Sequence, residues 1–165
     1  MNKKLMAVPM ILALLSMSTI VLADSPTVTT DVDKFMTATF YYTTVAYGSQ
    51  SAGASDVAAT GQTSVPGYNV SVSTNYLYQV SASGTDFSDG AGHSFGIGNL
   101  KMDSNPSAAS LAVGEAIALT TGSQDVDNNI GEGNVTSYHG FWLSVPAAQY
   151  AASYTSTLTV TVTNE

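Results

Sequence analysis

The chain has 165 residues, no cysteine and no arginine, and its twelve acidic residues outnumber its four lysines, so the formal net charge is −8. The lack of cysteine excludes disulfide bonds, thiol catalysis and thiolate-held zinc or iron–sulfur centres. The acidic balance excludes the basic surface that nucleic acid requires, and it also repels anionic lipid.

The first 23 residues predict a cleaved signal peptide. Lys3 and Lys4 precede an apolar run over residues 5–15, and a Val-Leu-Ala triplet ending at Ala23 fits the cleavage site. A retained membrane anchor is the alternative, but the run is shorter than the roughly 20 residues that span a bilayer. Cleavage leaves residues 24–165 as one domain with a net charge of 2 − 12 = −10. We therefore expect a secreted or cell-surface protein that meets a membrane only during export.

After the leader, apolar and polar residues alternate at period two in several short segments, which predicts β-strands rather than helices. Clusters rich in Gly, Ser and Asp separate these segments and predict turns, including one long turn region at 122–133. The best helix candidate, 147–150, is too short to be stable by itself. In chain order, the predicted strands are 35–47, 68–73, 76–82, 97–102, 111–113, 115–120, 140–145 and 154–163.

The last of these segments shows the assignment of faces most clearly. Its apolar residues predict a buried face, and its threonines predict a solvent face, because threonine favours extended backbone and tolerates water. In the first segment, Met36, Ala38, Phe40 and Tyr42 share a face in the same way. Short strands joined by turns predict one all-β domain, an Ig-like or jelly-roll antiparallel β-sandwich. The buried face of the last strand is Tyr154, Leu158, Val160 and Val162, and the other face is Thr155, Thr157, Thr159, Thr161 and Thr163.

Residues for catalysis are few. His93 lies in a Gly-rich loop and His139 precedes a Gly-Phe-Trp triplet. Serines are abundant, but no Gly-x-Ser-x-Gly elbow places one beside a base. We therefore interpret the two histidines as turn and edge residues and predict that the protein is not an enzyme.

One acidic segment is a candidate metal site. Asp125, Asp127 and Asn129 alternate like the first oxygen ligands of a calcium loop. The glycine comes one position late, however, and Thr136 stands where the loop needs an acidic ligand. A solvated acidic turn is therefore the alternative to calcium, which is the one cofactor that the sequence suggests. Asp86 and Asp89 form a second, weaker candidate.

Two further kinds of covalent modification are compatible with the sequence. Asn69 and Asn134 each begin an N-x-[ST] triplet, the acceptor pattern for N-linked glycosylation. Lys34 or Lys101 could form an isopeptide bond with an Asn or Asp side chain, a link that would replace the missing disulfides. Intact mass would test this link, since it loses water or ammonia.

Aromatic residues cluster at 40–78 and at 138–154. They predict either a sugar-binding platform, which needs several rings on one exposed face, or ordinary core and rim positions of a sandwich. Trp142 is a separate case. If Phe141 and Leu143 face the core, then Trp142 faces solvent and is a candidate contact residue.

The end of the chain resembles a known group of proteins. Residues 138–146 (Tyr-His-Gly-Phe-Trp-Leu-Ser-Val-Pro) and 154–162 (Tyr-Thr-Ser-Thr-Leu-Thr-Val-Thr-Val) resemble the closing hairpin of small secreted β-sandwich proteins of archaeal and bacterial surfaces. Residues 45–49, 68–72 and 75–78 are also similar to that group. It includes archaeal bundling pilins and camelysin-type biofilm-fibre subunits, which assemble by strand exchange.

The resemblance implies that residues 24–39 act as a donor strand that completes the sheet of the next subunit. An ordinary first strand in the chain's own sheet is the alternative. We therefore expect an exported structural or adhesive surface protein that associates with itself or with other surface proteins, and that builds a filament. The alternative function is a module that binds surface polysaccharide through Trp142 and tyrosines.

Overall fold

The alternating segments form strands in the computed structural model, which describes residues 32–62 and 68–165. Two short 3₁₀ helices, Ile97–Asn99 and Ala108–Ser110, lie between strands. The strands, in chain order, are β1 Met36–Phe40, β2 Val57–Ala58, β3 Asn69–Thr74, β4 Tyr78–Gly84, β5 Phe87–Ser88, β6 Ser94–Phe95, β7 Leu100–Asn105, β8 Ile117–Ala118, β9 Gln124–Ile130, β10 Gly133–Leu143 and β11 Leu158–Asn164.

Six strands form one sheet, sheet A, in the order β1-β3-β10-β7-β8, with β2 paired to the end of β10. All of these pairs are antiparallel. The long strand β10 is central because its first half pairs with β3 and its second half with β7. Its side chains at 137, 139, 141 and 143 are buried on the inner face.

A second sheet, sheet B, consists of β11, β4 and β9, again antiparallel. It packs over the inner face of sheet A, and the Tyr78 hydroxyl lies 3.1 Å from Oγ of Ser137 where the two sheets meet. The predicted all-β antiparallel sandwich is therefore confirmed. A two-stranded ribbon of β5 and β6 adds a stacked pair of rings, Phe87 and Phe95, with centroids 4.6 Å apart.

The core between the sheets is made by alternate residues of the central strands. Its fully buried apolar members include Val70, Val72, Tyr78, Val80 and Met102, each 0% exposed. Burial of one such side chain contributes about 1.5–3 kcal/mol. In β3 and β4 the period-two pattern thus places the valines and Tyr78 on the core face, as the sequence indicates.

The structure corrects several predicted boundaries. The segment 122–133, predicted as a turn region, contains β9, because pairing with β4 outweighs the turn preference of its Asp and Asn residues. The first strand ends at Phe40 rather than at residue 47, and 111–113 is not a strand. The predicted strand 140–145 is the end of the much longer β10.

The predicted signal peptide, and the part of the predicted donor strand that precedes residue 32, lie outside the described residues. Among the described residues, no helix is long and apolar enough to cross a membrane.

Candidate functional site

Strands β1 and β11 are edge strands of sheets A and B, and both border one groove of about 920 Å³. Phe40 and Tyr42 line this groove from the side of sheet A, and Leu158 and Val160 line it from sheet B. Much of the remaining wall comes from the loop after β1 and from the segment that crosses from β10 to β11. We call it the edge groove.

No layer of the described part of the chain covers the inner face of β1. Ala38 and Phe40 pair directly with Val72 and Val70 of β3, so all four side chains lie on the core side of sheet A. The two valines are 0% exposed, whereas Ala38 is exposed and Phe40 is 38% exposed. Sheet B therefore covers β3 but does not reach over β1.

The inner face of β11 is covered on one side only. Val160 and Val162 pair with Ala82 and Val80 of β4, and these two β4 residues are 1% and 0% exposed. Val160 and Val162 themselves are only half-buried. The apolar side chains of β11 thus border the edge groove, where no described residue provides a further strand.

Within residues 32–62 and 68–165, no strand pairs with the backbone of β11 on the side of this groove. The amide of Thr85 donates to the carbonyl of Thr157, and the amide of Glu165 donates to that of Leu77. In an antiparallel ladder, residues that bond to a neighbouring strand alternate with residues that do not. Odd-numbered residues of β11 therefore bond to β4, and the N–H and C=O groups of Leu158, Val160 and the other even-numbered residues point to the open edge. An extended segment that enters here finds both backbone partners and an apolar floor.

A buried tyrosine–histidine pair lies below the groove. The Tyr42 hydroxyl is 2.6 Å from Nδ1 of His139, and His139 is 0% exposed. Burial lowers the pKa of His139 to about 4 and raises the pKa of the Tyr42 phenol. At neutral pH the phenol therefore keeps its proton and the imidazole is neutral, so the hydrogen bond joins two uncharged groups. The prediction that His139 is a turn or edge residue is wrong, because it lies on the central strand and faces the core.

Ser104 is the cross-strand neighbour of His139. Its Oγ and the Nε2 of His139 are both buried, and neither bonds to a protein group among the described residues. The order Tyr42–His139–Ser104 resembles the order of a catalytic triad, with an orienting group, a base and a hydroxyl nucleophile. However, Ser104 is 6% exposed and His139 is 0% exposed. A substrate has no access to these atoms in this conformation. The trio is a polar row through the core beside the groove.

The other histidine lies in the loop between β5 and β6. Nδ1 of His93 is 2.6 Å from Oδ2 of Asp89, and the imidazole stacks on Tyr150 with ring centroids 4.3 Å apart. The hydrogen bond from His93 lowers the pKa of Asp89. Tyr150 lines the edge groove and belongs to the crossing segment, so this stack attaches that segment to the β5–β6 loop. Asp86, the other acid of this region, accepts from the amide of Ile97 at 2.8 Å.

The calcium-loop interpretation of Asp125, Asp127 and Asn129 is wrong in its backbone, because these residues lie in strand β9. Asp127 pairs with Val80 and Asp125 with Ser81, and the register shifts between these two pairs. The two carboxylates therefore point to opposite faces of sheet B, and they do not converge as calcium ligands do. Desolvation raises the pKa of the inward Asp127. Among the described residues, no group of three or more His, Cys, Asp or Glu could hold a metal ion.

Trp142, predicted to be an exposed contact residue, is 7% exposed and therefore buried. It faces the outer side of sheet A, but its ring lies across Gly140, where a side chain would collide with it. Its neighbours in register are Ala58 and Lys101. Nζ of Lys101 lies 2.8 Å from Oδ1 of Asp56, so a salt bridge borders the indole on this face. The glycine and the salt bridge explain why an outward position is covered.

The remaining predicted site residues lie apart from the groove. Lys34 is 4.2 Å from the ring centroid of Tyr76, a cation–π contact. Asn69 and Asn134 lie on the outer face of sheet A, on adjacent strands. Asn69 is buried at 5% exposure, whereas Asn134 is exposed.

Comparisons with known proteins do not assign a family. No protein-family model matches the chain, and no curated protein matches it. Among solved structures, a family 123 glycoside hydrolase from Clostridium perfringens, described for glycolipid glycan hydrolysis, is similar at 15% identity and a TM-score of 0.33. The similarity covers 58% of this chain and 18% of the hydrolase chain. A likeness at this level carries no argument about function.

Sequence reasoning missed the edge groove itself. The pattern does place Met36, Ala38 and Phe40 on one face, and the last strand is correctly assigned a core face and a solvent face. Which strands lie at the sheet edges depends on the pairing order, which the local pattern does not contain. A usable signal exists only in hindsight: Thr at every second position of β11 and β1 suits strands with one wet face.

Proposed function

We propose that this protein is an exported surface subunit that assembles head to tail, and that the N-terminal segment of one copy adds as a strand to β11 of the next. The observation that carries this proposal is the open edge of β11, where unpaired backbone groups and half-buried apolar side chains border one groove. Edge addition of an extended segment satisfies both kinds of group at once. The edge also explains how a chain without cysteine could gain stability, since a second copy would complete its core.

Residues 36–39 of the predicted donor strand 24–39 belong to β1 of the chain's own sheet, and Lys34 and Phe35 contact Tyr76 and Asn75. The segment that suits this groove is therefore residues 24–33. Its apolar and polar residues alternate, so an extended chain would have one apolar face and one wet, acidic face: Pro26, Val28, Thr30 and Val32 against Thr27, Thr29, Asp31 and Asp33. Ten extended residues span about 33 Å, and the seven residues of β11 span about 23 Å. The segment is therefore long enough to pair along the whole edge and still leave a short connection to its own domain.

The way the chain enters β1 favours another copy over the chain's own segment. The amide of Phe35 donates to Oδ1 of Asn75 at 3.0 Å, and the Thr74 hydroxyl donates to the carbonyl of Phe35 at 3.1 Å. Lys34 is held over the ring of Tyr76. These contacts keep the chain extended in line with β1 up to residue 34. A return into its own groove would need a reversal before that point.

Purified mature protein, residues 24–165, tests the proposal by negative-stain electron microscopy and size-exclusion chromatography. We expect filaments, and we expect that deletion of residues 24–34 yields a folded monomer. A synthetic peptide of residues 24–33 should bind that truncated monomer and raise its melting temperature. A matched peptide with Val28→Asp and Val32→Asp should not, because its inner face is charged.

Three results would overturn the proposal. One is a full-length protein that stays monomeric at high concentration. Another is a truncated protein that still forms filaments. The third is a monomer that binds polysaccharide through an exposed surface, which would favour the glycan-binding module instead.

A further inference from the structure

We propose that Asn134 is a site of N-linked glycosylation in the exported protein, and that Asn69 is not, although both carry the same acceptor triplet. The co-substrate would be a lipid-linked oligosaccharide pyrophosphate of the export pathway. This inference does not depend on strand exchange.

The first and third residues of both triplets lie on the outer face of sheet A. The middle residues, Val70 and Val135, turn toward the core, where Val70 is 0% exposed. In register, Ser71 pairs with Thr136, so the hydroxyl residues of the two triplets are cross-strand neighbours. The asparagines lie on either side of this pair, Asn69 toward the middle of the sheet and Asn134 at the start of β10.

Asn69 is enclosed by large neighbours. Tyr138 is its direct partner on β10, and on its other side Tyr41 donates its amide to the Asn69 carbonyl at 3.0 Å. Asn69 is 5% exposed, and the residue makes a further interaction. A sugar linked to this buried amide would have to displace neighbouring side chains. A chain glycosylated at Asn69 therefore could not form the native sheet without loss of packing.

Asn134 has space around it. It is exposed and is the second residue of β10, just after Gly133, whose φ of +100° and open surroundings mark the turn. Its neighbour in register is Ser73, which in turn pairs with Thr37 on β1. Both neighbours are small hydroxyl residues, and Thr37 is exposed. A glycan here can project from the sheet without moving any side chain of the core.

The chemistry is balanced with the named co-substrate. The side-chain amide nitrogen of Asn134 forms a bond to the anomeric carbon of the first sugar, and the bond from that carbon to the pyrophosphate oxygen breaks. The lipid pyrophosphate leaves, and the amide nitrogen gives up one proton. The Thr136 hydroxyl completes the triplet that the transferase reads in the extended chain.

The position of Asn134 also makes the modification compatible with the edge groove. Asn134 is on the outer face of sheet A, whereas the groove opens on the inner face beside β11. The outward residues around it on β1, β3 and β10 include no charged side chain: Thr37, Thr39, Ser71, Ser73 and Thr136. A glycan at Asn134 would therefore cover a surface whose outward strand residues carry no charge, in a protein that is otherwise acidic.

Mass spectrometry of the mature protein purified from cells that export it tests this inference. We expect an intact mass above the sequence value, with the added mass on the peptide that contains Asn134. The extra mass should vanish in Asn134→Gln and in Thr136→Ala, and it should remain in Thr136→Ser and Asn69→Gln. The Thr136 pair separates recognition of the triplet from any structural role of Asn134.

Three results would overturn the inference: an unmodified wild-type mass, sugar on Asn69, or extra mass that survives Asn134→Gln. The strand-exchange proposal is read separately, because filament formation by Asn134→Gln should equal that of the wild type. If Asn134→Gln lost its filaments, the assignment of the glycosylation site would not change, because mass spectrometry alone decides it.

Discussion

The two long edges of the sandwich differ in how the chain covers them. At the edge that contains β7 and β8, Met102 is 0% exposed and Leu119 is 1% exposed. There the segment after β7 folds back, and Oδ2 of Asp103 accepts from the amide of Ala112 at 3.0 Å. At the opposite edge, none of the residues that the structure describes covers β1 and β11 in this way, and Phe40 remains 38% exposed.

The difference between the two edges shows that the chain can cover an edge, so the open edge at β1 and β11 does not result from a lack of residues to cover it. The residues between β7 and β9, which include the 3₁₀ helix Ala108–Ser110 and strand β8, cover one edge, so the chain is able to protect an edge. At the other edge it instead presents free backbone groups together with apolar side chains, an arrangement that proteins otherwise avoid because it promotes association. Substitutions on the two sides should therefore have different effects on folding and on assembly.

The largest effect should come from a core truncation at the closed edge. Met102→Ala removes a fully buried side chain, and we expect a loss of about 2–5 kcal/mol in the free energy of unfolding. Phe40→Ala at the open edge should cost the monomer only about 1 kcal/mol, because the ring is partly solvated already. Urea unfolding of the truncated monomer measures both. Equal losses would mean that the edge groove is closed in solution.

Proline on β11 sharpens the comparison between its two sides. Thr161 bonds to β4 through its backbone, so Thr161→Pro should destabilise the monomer by about 3 kcal/mol or more. The N–H of Val160 points to the open edge, so Val160→Pro should leave the monomer folded but prevent assembly. Thermal unfolding and electron microscopy read the two outcomes. Val160→Pro filaments would contradict the pairing that we propose.

The buried histidine should make the stability of the protein depend on pH. His139 has a pKa of about 4 in the fold and about 6.5 in an unfolded chain. The unfolded chain binds the proton first, so this contribution is complete above about pH 6.5 and is lost as the pH falls toward 4. The loss reaches about 3 kcal/mol. The difference between wild type and His139→Gln in urea unfolding isolates it, and His93→Gln, on the exposed loop, should leave it unchanged.

A smaller effect tests why Trp142 is buried. A Cβ at position 140 would collide with the Trp142 ring, so Gly140→Ala should cost about 1–3 kcal/mol through overpacking. Tryptophan fluorescence should shift to longer wavelength as the ring is displaced toward water. A neutral Gly140→Ala with an unshifted spectrum would mean that the indole has another stable position.

The smallest effect should come from the salt bridge beside that ring. Lys101 and Asp56 have side chains 34% and 35% exposed, so Lys101→Met should change the free energy of unfolding by about 1 kcal/mol or less. A much larger loss would indicate a covalent link between the two residues. Intact mass of the wild type decides this directly, since an isopeptide bond lacks the mass of one water.

The sequence predicts the class of fold well, because alternation at period two is a local property. It correctly places Val160 and Val162 on the core side and the threonines of β11 toward water. It fails where pairing between distant segments decides the outcome. The turn propensity of Asp125 and Asp127 predicts a loop, yet pairing with β4 makes them part of a strand. The sequence neighbours of His139 and Trp142 predict exposed positions, whereas their burial depends on Tyr42 and Gly140, which sequence proximity does not reveal.

The edge groove could not be predicted for the same reason. Its two borders, at Phe40 and Val160, are more than a hundred positions apart in the chain. The local pattern predicts only which face of each of these two strands is apolar. That neither face is fully covered is a property of the sheet order alone.

The edge groove and the N-terminal segment that it receives are different surfaces, and this affects how a filament grows. Each contact uses one of each, and the assembly grows as an open fibre wherever the rotation between successive copies does not close a ring. A fibre built in this way has direction: one tip ends in an empty receptor, the other in a loose tail. Truncated molecules that retain only the receptor would cap a single tip and stop elongation there, while the opposite tip would go on adding complete molecules.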